Sequence, residues 1–215
     1  MEFLGDSAFS ALVKKLKPKQ NLLAVSKLQP IEKIEILHAK GQKNFAENYI
    51  QEAIEKTKVL KNLDIEWHLI GPIQKNKVKL LQNHFAYIHS VDSLELAKKI
   101  SEKALEIDYI QKVFIQINLA EEATKSGLQK AEFLNQWQQF KGLKGIEVVG
   151  LMTMPPLEND AEKNRIYFKE LKKLGDQLNL HELSMGTSQD YEVALEEGAT
   201  WIRIGTMLFG ERLKK

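Results

Sequence analysis

Short runs of apolar and β-branched residues recur along the chain, and most are followed by a stretch whose apolar positions return every three or four residues. The first run is Leu22-Leu23-Ala24-Val25-Ser26. Pro30 then suits a first helical turn, Ile31, Ile34 and Leu37 share a face, and Gly41 signals a stop. Asn44-Phe45-Ala46-Glu47 is the second run, ahead of a helix with Ile50, Ala53 and Ile54 on one side. Glu66-Trp67-His68-Leu69-Ile70 is the third, closed by Gly71-Pro72 and followed by a helix carrying Val78 and Leu81. Tyr87-Ile88-His89-Ser90-Val91 is the fourth. Asp92, with Glu95 three residues on, reads as a capping-box-like start for a helix bearing Leu94, Ala97, Ile100 and Ala104. Val113-Phe114-Ile115-Gln116-Ile117-Asn118 is the clearest strand. Ile146-Glu147-Val148-Val149-Gly150-Leu151 follows, flanked by helical patterns near residues 129–141 and 160–178. Two short runs, His181-Glu182-Leu183-Ser184 and Thr200-Trp201-Ile202-Arg203-Ile204, complete the series, and Gly198 is placed to stop the helix between them.

Such strict alternation predicts an α/β protein, a parallel sheet covered by helices. Eight units in 215 residues fit a (β/α)8, TIM-type barrel near the lower size limit of that fold. An open doubly wound sheet is the rival. No G-x-G-x-x-G follows the first strand, so the dinucleotide fingerprint of that rival is missing. No linker interrupts the pattern. Met154-Pro155-Pro156-Leu157-Glu158-Asn159-Asp160 has turn chemistry, but it lies between a strand and its helix, on the active-site side of a barrel. The expected organisation is one domain over residues 1–215.

Composition narrows the function classes. The chain is 43 % hydrophobic and 28 % charged, with no run approaching the roughly 20 apolar residues of a membrane span. A net charge of +2 is too balanced to point to nucleic acid. The basic runs at Lys14-Lys15-Leu16-Lys17-Pro18-Lys19 and Lys75-Asn76-Lys77-Val78-Lys79 read as solvated helix faces and ends. With no cysteine there is no disulfide, thiolate metal site or cysteine nucleophile. His38, His84, His89 and His181 show no ligand spacing, and no metal is expected. The first twenty residues make a poor signal peptide, so a cytoplasmic location is expected.

Barrel chemistry gathers at the C-terminal ends of the strands. Those ends hold Lys27, Glu47-Asn48, Gly71, Ser90, Asn118, Met152, Ser184 with Gly186, and Arg203, Gly205 and Thr206. A lysine that ends an apolar strand is unusual. At a barrel mouth, burial and cationic neighbours lower the pKa of such an amine, which prepares it to attack a carbonyl and form a Schiff base. The plainer reading is a lysine that snorkels to water. Ser184-Met185-Gly186-Thr187-Ser188 and Arg203-Ile204-Gly205-Thr206 each place a glycine beside hydroxyls after strands seven and eight, where this fold often binds phosphate. Ser188 as a mere helix cap and Gly205 as a mere turn are the plainer alternatives. A Schiff-base lysine opposite a phosphate cup suits either a phosphorylated aldehyde cofactor or the sugar phosphate of a lysine-dependent aldolase.

Several motifs carry a family resemblance. Ala24-Val25-Ser26-Lys27, Phe45-Ala46-Glu47-Asn48-Tyr49, Trp67-His68-Leu69-Ile70-Gly71-Pro72-Ile73-Gln74, Lys125-Ser126-Gly127, Gly150-Leu151-Met152, Ser184-Met185-Gly186-Thr187-Ser188-Gln189-Asp190 and Arg203-Ile204-Gly205-Thr206 with Phe209-Gly210 keep the order and spacing of their counterparts. Over nearly its whole length the chain resembles the pyridoxal phosphate homeostasis proteins, whose barrel is similar to the N-terminal domain of alanine racemase. The resemblance implies that Lys27 forms the internal aldimine with pyridoxal 5′-phosphate. It implies that Ser184, Gly186, Ser188, Gly205 and Thr206 hold the phosphate through hydroxyls and backbone amides, and that Arg203 lies beside the pyridine nitrogen. A cation there opposes protonation of that nitrogen and weakens the ring as an electron sink. Asn48 and Met152 are expected to line the ring, with His68 nearby, or else as a buried, hydrogen-bonded strand histidine.

Two departures stand out: Thr187 replaces the family's usual methionine, and the segment before the first strand is short, which puts the covering role of the first helix in question. The implied function is homeostasis of intracellular pyridoxal phosphate (vitamin B6), without dedicated turnover and with apoenzymes as possible recipients. An amino-acid racemase is the alternative. It needs a second base, a tyrosine that in alanine racemase depends on a further C-terminal domain and a partner subunit. This chain ends at Lys215, with Tyr49, Tyr87, Tyr109, Tyr167 and Tyr191 unassigned, and a monomer is expected.

Overall fold

A computed structural model describes residues 6–81, 83–120, 126–156 and 160–210. Lys125 of the Lys125-Ser126-Gly127 motif, Leu157-Glu158-Asn159 of the loop after strand six, and the last five residues lie outside these. The strands are β1 (Asn21–Val25), β2 (Asn44–Glu47), β3 (Glu66–Leu69), β4 (Tyr87–Val91), β5 (Gln111–Gln116), β6 (Ile146–Met152), β7 (Glu182–Ser184) and β8 (Trp201–Ile204). The helices are α1 (Asp6–Lys15), α2 (Ile31–Ala39), α3 (Ile50–Val59), α4 (Leu94–Leu105), α5 (Lys130–Lys141), α6 (Ala161–Leu178), α7 (Tyr191–Glu196) and α8 (Thr206–Phe209). Each strand pairs in parallel with the next. Closure comes from β1 on β8, with Leu22 opposite Ile202 and Ala24 opposite Ile204. The protein is a closed (β/α)8 barrel, and the open-sheet rival is eliminated.

Closure turns the period-two pattern of each strand into two separate apolar layers. Leu22 and Ala24 of β1 join the larger cluster between sheet and helices, with Ile34 and Leu37 of α2. Leu23 and Val25 join a smaller cluster inside the barrel with Ala46, Phe114, Met152 and Trp201. The interior also takes polar side chains, because His68, His89, Ser184 and Arg203 are buried at inward positions of β3, β4, β7 and β8. The short first helix does cover the core: Phe9 and Leu12 of α1 are buried in the outer cluster.

Three local expectations are corrected. The segment after β3 forms a 3-10 helix, Lys75–Leu80, and not an α-helix. Its buried anchors, Val78 and Leu81, stand three residues apart, which matches the eclipsed three-residue period of that helix. The N-cap of α4 is Ser93 and not Asp92: the Ser93 hydroxyl accepts from the Leu96 N–H at 3.2 Å. The fifth strand begins at Gln111 and ends at Gln116, two residues earlier than expected at either end, and Ile117 instead bridges Leu128. Gly198 at φ +93° stops α7 as the sequence predicts. Among the described residues no helix is long and apolar enough to cross a membrane.

Candidate functional site

A cavity of about 340 Å³ opens at the C-terminal ends of the strands, within the size range of small-molecule sites. Lys27 enters it from the end of β1, Asn48 from β2, Ile70 from β3, and Met154 from the loop after β6. Thr187, Ser188 and Gln189 come from the loop after β7, and Arg203, Gly205 and Thr206 from β8 and its exit. Residues up to 179 positions apart in the chain thus face one space because barrel closure sets β1 beside β8. Another cavity, of about 400 Å³, lies among the strand starts at Asn21, Asn44, Glu66 and Trp201, the end that this fold uses for stability and not for chemistry.

Arg203 is the electrostatic centre of the site. It is only 3 % exposed. Its guanidinium donates to Ser184 Oγ at 3.0 Å and to the Thr153 carbonyl at 3.0 Å, with Met154 Sδ also at 3.0 Å. Burial pulls its pKa down to about 10, against the opposing field of Asp190. It therefore stays cationic at neutral pH.

Behind Arg203 runs a chain of buried side chains. Ser184 Oγ meets His89 Nδ1 at 2.8 Å, His89 Nε2 meets His68 Nδ1 at 2.9 Å, and His68 Nε2 meets Asn44 Oδ1 at 3.3 Å. Asn44 Oδ1 can only accept, so His68 carries its hydrogen on Nε2 and accepts at Nδ1 from His89. His89 then accepts from the Ser184 hydroxyl, which in turn accepts from Arg203. Burial drives the His68 pKa down to about 3 and that of His89 well below its ordinary value, so both rings are neutral. His89 stacks on Phe114 with centroids 4.2 Å apart, and His68 on Tyr87 at 4.8 Å.

The structure places several expected site residues behind the cavity wall. The Ser184 hydroxyl, expected on the phosphate, is fully buried and bonded to His89 and Arg203. His68 is the buried, hydrogen-bonded strand histidine and does not reach the cavity wall. Met152, expected along the ring, is packed in the barrel interior, and Met154 takes the wall position in its place. Gly186 lies just behind the wall, where its carbonyl accepts from the Arg203 N–H at 3.0 Å. At φ +89°, and with an added Cβ only 2.6 Å from Ala194 Cβ, that turn requires glycine. Lys27, Asn48, Ser188, Arg203, Gly205 and Thr206 are brought together on the wall.

The loop after β7 has an organiser that strand-end reasoning passed over. Asp190 accepts from the Thr187 N–H at 2.6 Å and from its hydroxyl at 3.0 Å, and its other oxygen accepts from Asn164 at 2.8 Å. The unusual Thr187 hydroxyl therefore fastens its own loop to Asp190. Gln29, Ile70 and Gln189 also line the cavity without having been singled out: Ile70 and Gln189 belong to the family motifs and Gln29 follows Lys27 by two residues, but the approach of each depends on loop shape.

The wall chemistry fits a phosphorylated aldehyde. Lys27 supplies an amine, Arg203 a buried cation, and Ser188 and Thr206 hydroxyl donors. The first N–H groups of α8, which starts at Thr206, have no partner within the helix. Asn48 Oδ1 is a buried acceptor with no partner among the described residues, and Asn48 stands on this wall. Such an orphan is expensive unless something else in the cavity satisfies it. Gly71 leaves room for it: a Cβ there would fall 2.1 Å from the Asn48 carbonyl oxygen.

Residues 8–213 match the family described as alanine racemase, N-terminal domain. A pyridoxal phosphate homeostasis protein of Aquifex aeolicus is 43 % identical over 197 residues, covering 89 % of this chain and 86 % of that one. The structure of PipY from Synechococcus elongatus with pyridoxal phosphate bound is 37 % identical and superposes with a TM-score of 0.89 over 96 % of this chain and all of that one. An alanine racemase of Clostridium difficile shares the fold at 17 % identity, with a TM-score of 0.79 over 98 % of this chain and 57 % of its own. On these matches the chain belongs to the pyridoxal phosphate homeostasis protein family, a branch of the alanine racemase N-terminal-domain barrels.

Proposed function

We propose that this protein binds pyridoxal 5′-phosphate covalently on Lys27 and serves to hold and release it in the cytoplasm, as a monomer and without dedicated turnover. The observation that carries this reading is the meeting of Lys27, Arg203 and the Ser188 and Thr206 hydroxyls around one cavity. Lys27 would supply the amine that condenses with the aldehyde carbon, forming a C=N bond with loss of water. Ser188, Thr206 and the backbone at Gly205 hold the phosphate, and Asn48 gains the partner it lacks. When bound, the cofactor supplies an electrophilic aldehyde and a ring able to draw electrons from an attached amine. Arg203 restrains that second capacity. A guanidinium beside the pyridine nitrogen disfavours a proton there, so the residues suit storage better than carbanion chemistry. A racemase would also need a base on the opposite face, and none of the described wall residues is a tyrosine. Apoenzymes that need the cofactor are the recipients this reading expects.

The test compares visible spectra of the wild type and Lys27→Ala with and without added pyridoxal phosphate, followed by borohydride reduction and peptide mass analysis. A yellow wild type with the reduced adduct on Lys27, and no such adduct in the variant, supports the reading. A wild type that stays colourless with the cofactor overturns it. Sustained production of D-isomer from a single L-amino acid would replace the carrier with a racemase.

A further inference from the structure

Lys27 does not stand on β1 unsupported. Beneath it lies a cluster of charged groups that the cofactor cavity does not include. Glu47, the last residue of β2, is fully buried, and Lys56 of α3 is only 5 % exposed. The Lys56 ammonium donates at 2.7 Å to each of three acceptors: the Ser26 carbonyl, Glu47 Oε1 and Glu52 Oε1. Ser26 Oγ donates to Glu47 Oε1 at 2.7 Å, and the Leu28 N–H donates to Glu52 Oε1 at 2.7 Å. The carbonyl just before Lys27 and the N–H just after it are therefore both held by the same ammonium–carboxylate cluster.

The backbone at this point needs such a hold. Leu28 sits at φ +57°, a left-handed conformation that a branched side chain disfavours. Burying an ion pair is seldom the stabilising choice, since well-packed apolar residues serve a core as well or better. The three donors of Lys56 are matched by three acceptors: the Ser26 carbonyl, which adjoins Lys27, Glu52, which also accepts from the Leu28 N–H, and Glu47. Glu47 also precedes Asn48, the orphaned acceptor on the cavity wall.

We propose that Glu47, Lys56 and Glu52 form a clamp that positions Lys27 for its bond to the cofactor. Lys56 fixes the peptide before Lys27 and Glu52 the peptide after it, while Glu47 anchors Lys56 to the end of β2. They are positioning residues and touch no reacting atom. The role rests on Lys27 being the anchoring amine, as proposed above.

The test uses the full chain as wild type, Glu52→Gln, Lys56→Met and Lys56→Arg. Two quantities are read: amide hydrogen exchange at Leu28 in the cofactor-free protein, and the rate at which pyridoxal phosphate becomes borohydride-trappable on Lys27. In Glu52→Gln, which leaves the buried Glu47–Lys56 pair in place, Leu28 exchange should rise and trapping should slow, each about tenfold. Exchange elsewhere in the barrel and the melting temperature should stay near wild type. Lys56→Met should slow trapping further, and Lys56→Arg should recover part of the loss. Should Lys56→Met fail to fold, Glu52→Gln carries the test alone. Unchanged Leu28 exchange and unchanged trapping in folded Glu52→Gln would overturn the clamp, as would a fall in melting temperature with no change in trapping. A wild type that never yields the Lys27 adduct would instead defeat the anchoring role itself, while the Leu28 exchange would still report whether the bracket exists.

Discussion

At the scale of single residues, the interior histidines decide how this barrel responds to acid. In the unfolded chain each takes up a proton near its ordinary pKa of about 6.5. In the fold, His68 resists protonation down to about 3, and burial holds His89 well below its ordinary value. The unfolded state thus gains protons first, and stability that is complete above the unfolded value drains away as pH falls toward the folded one. The expected slope is about 1.4 kcal/mol per pH unit for each histidine. Glu47 acts in the opposite direction. Burial pushes its carboxyl up against the pull of Lys56, so its contribution is whole below its unfolded value and declines as pH rises toward its folded one. Urea midpoints measured from pH 4 to 7 should therefore fall toward acid in the wild type, and less steeply in His68→Gln. Equal slopes would mean that the ring titrates normally. His68 was legible as a candidate, but its partners were not. His89 and Ser184 are 95 positions apart, and only the closed barrel makes them neighbours.

At the scale of elements, the start of α4 shows how closely two polar residues compete for one role. Asp92 and Ser93 both offer an acceptor before an apolar run, and the Asp92-x-x-Glu95 spacing favours the first. The structure chooses Ser93, whose hydroxyl reaches Leu96 N–H three residues on, while Asp92 is drawn into a half-buried position where desolvation raises its pKa. Ser93→Ala should cost about 1 kcal/mol in chemical denaturation, and Asp92→Ala less. A larger loss at Asp92 would return the cap to it. Lys56 makes the same point for α3. It lies in a helix rich in charged residues, and the fold turns it inward to meet Glu47 at the end of the preceding strand.

At the scale of the molecule, the proposed cofactor site joins β1 to β8 across the seam that closes the barrel. A ligand bound at that seam stabilises only the closed state. Saturation with pyridoxal phosphate at a hundredfold excess over its Kd should therefore add about 2.7 kcal/mol. Thermal unfolding should show this as a raised, concentration-dependent Tm in the wild type and a much smaller rise in Lys27→Ala. An equal rise in both would place the binding energy in the phosphate cup and not in the covalent bond.

What the sequence by itself determined is local: eight β–α units, their order, and the residues at the strand ends, among them Lys27, Asn48, Ser188, Arg203, Gly205 and Thr206. Periodicity and residue chemistry act over a few positions, so they can be read without knowing what lies across the barrel. The tertiary structure alone decided closure, and with it which side chains point to the cavity and which turn inward. Ser184 and Met152 end their strands as expected, but the inward row of a closed barrel commits the first to His89 and Arg203 and packs the second among apolar neighbours. The same holds for the cluster under Lys27. Its members come from β2, α3 and the residue that follows β1, and a buried charge acquires its meaning only when the fold supplies its partners.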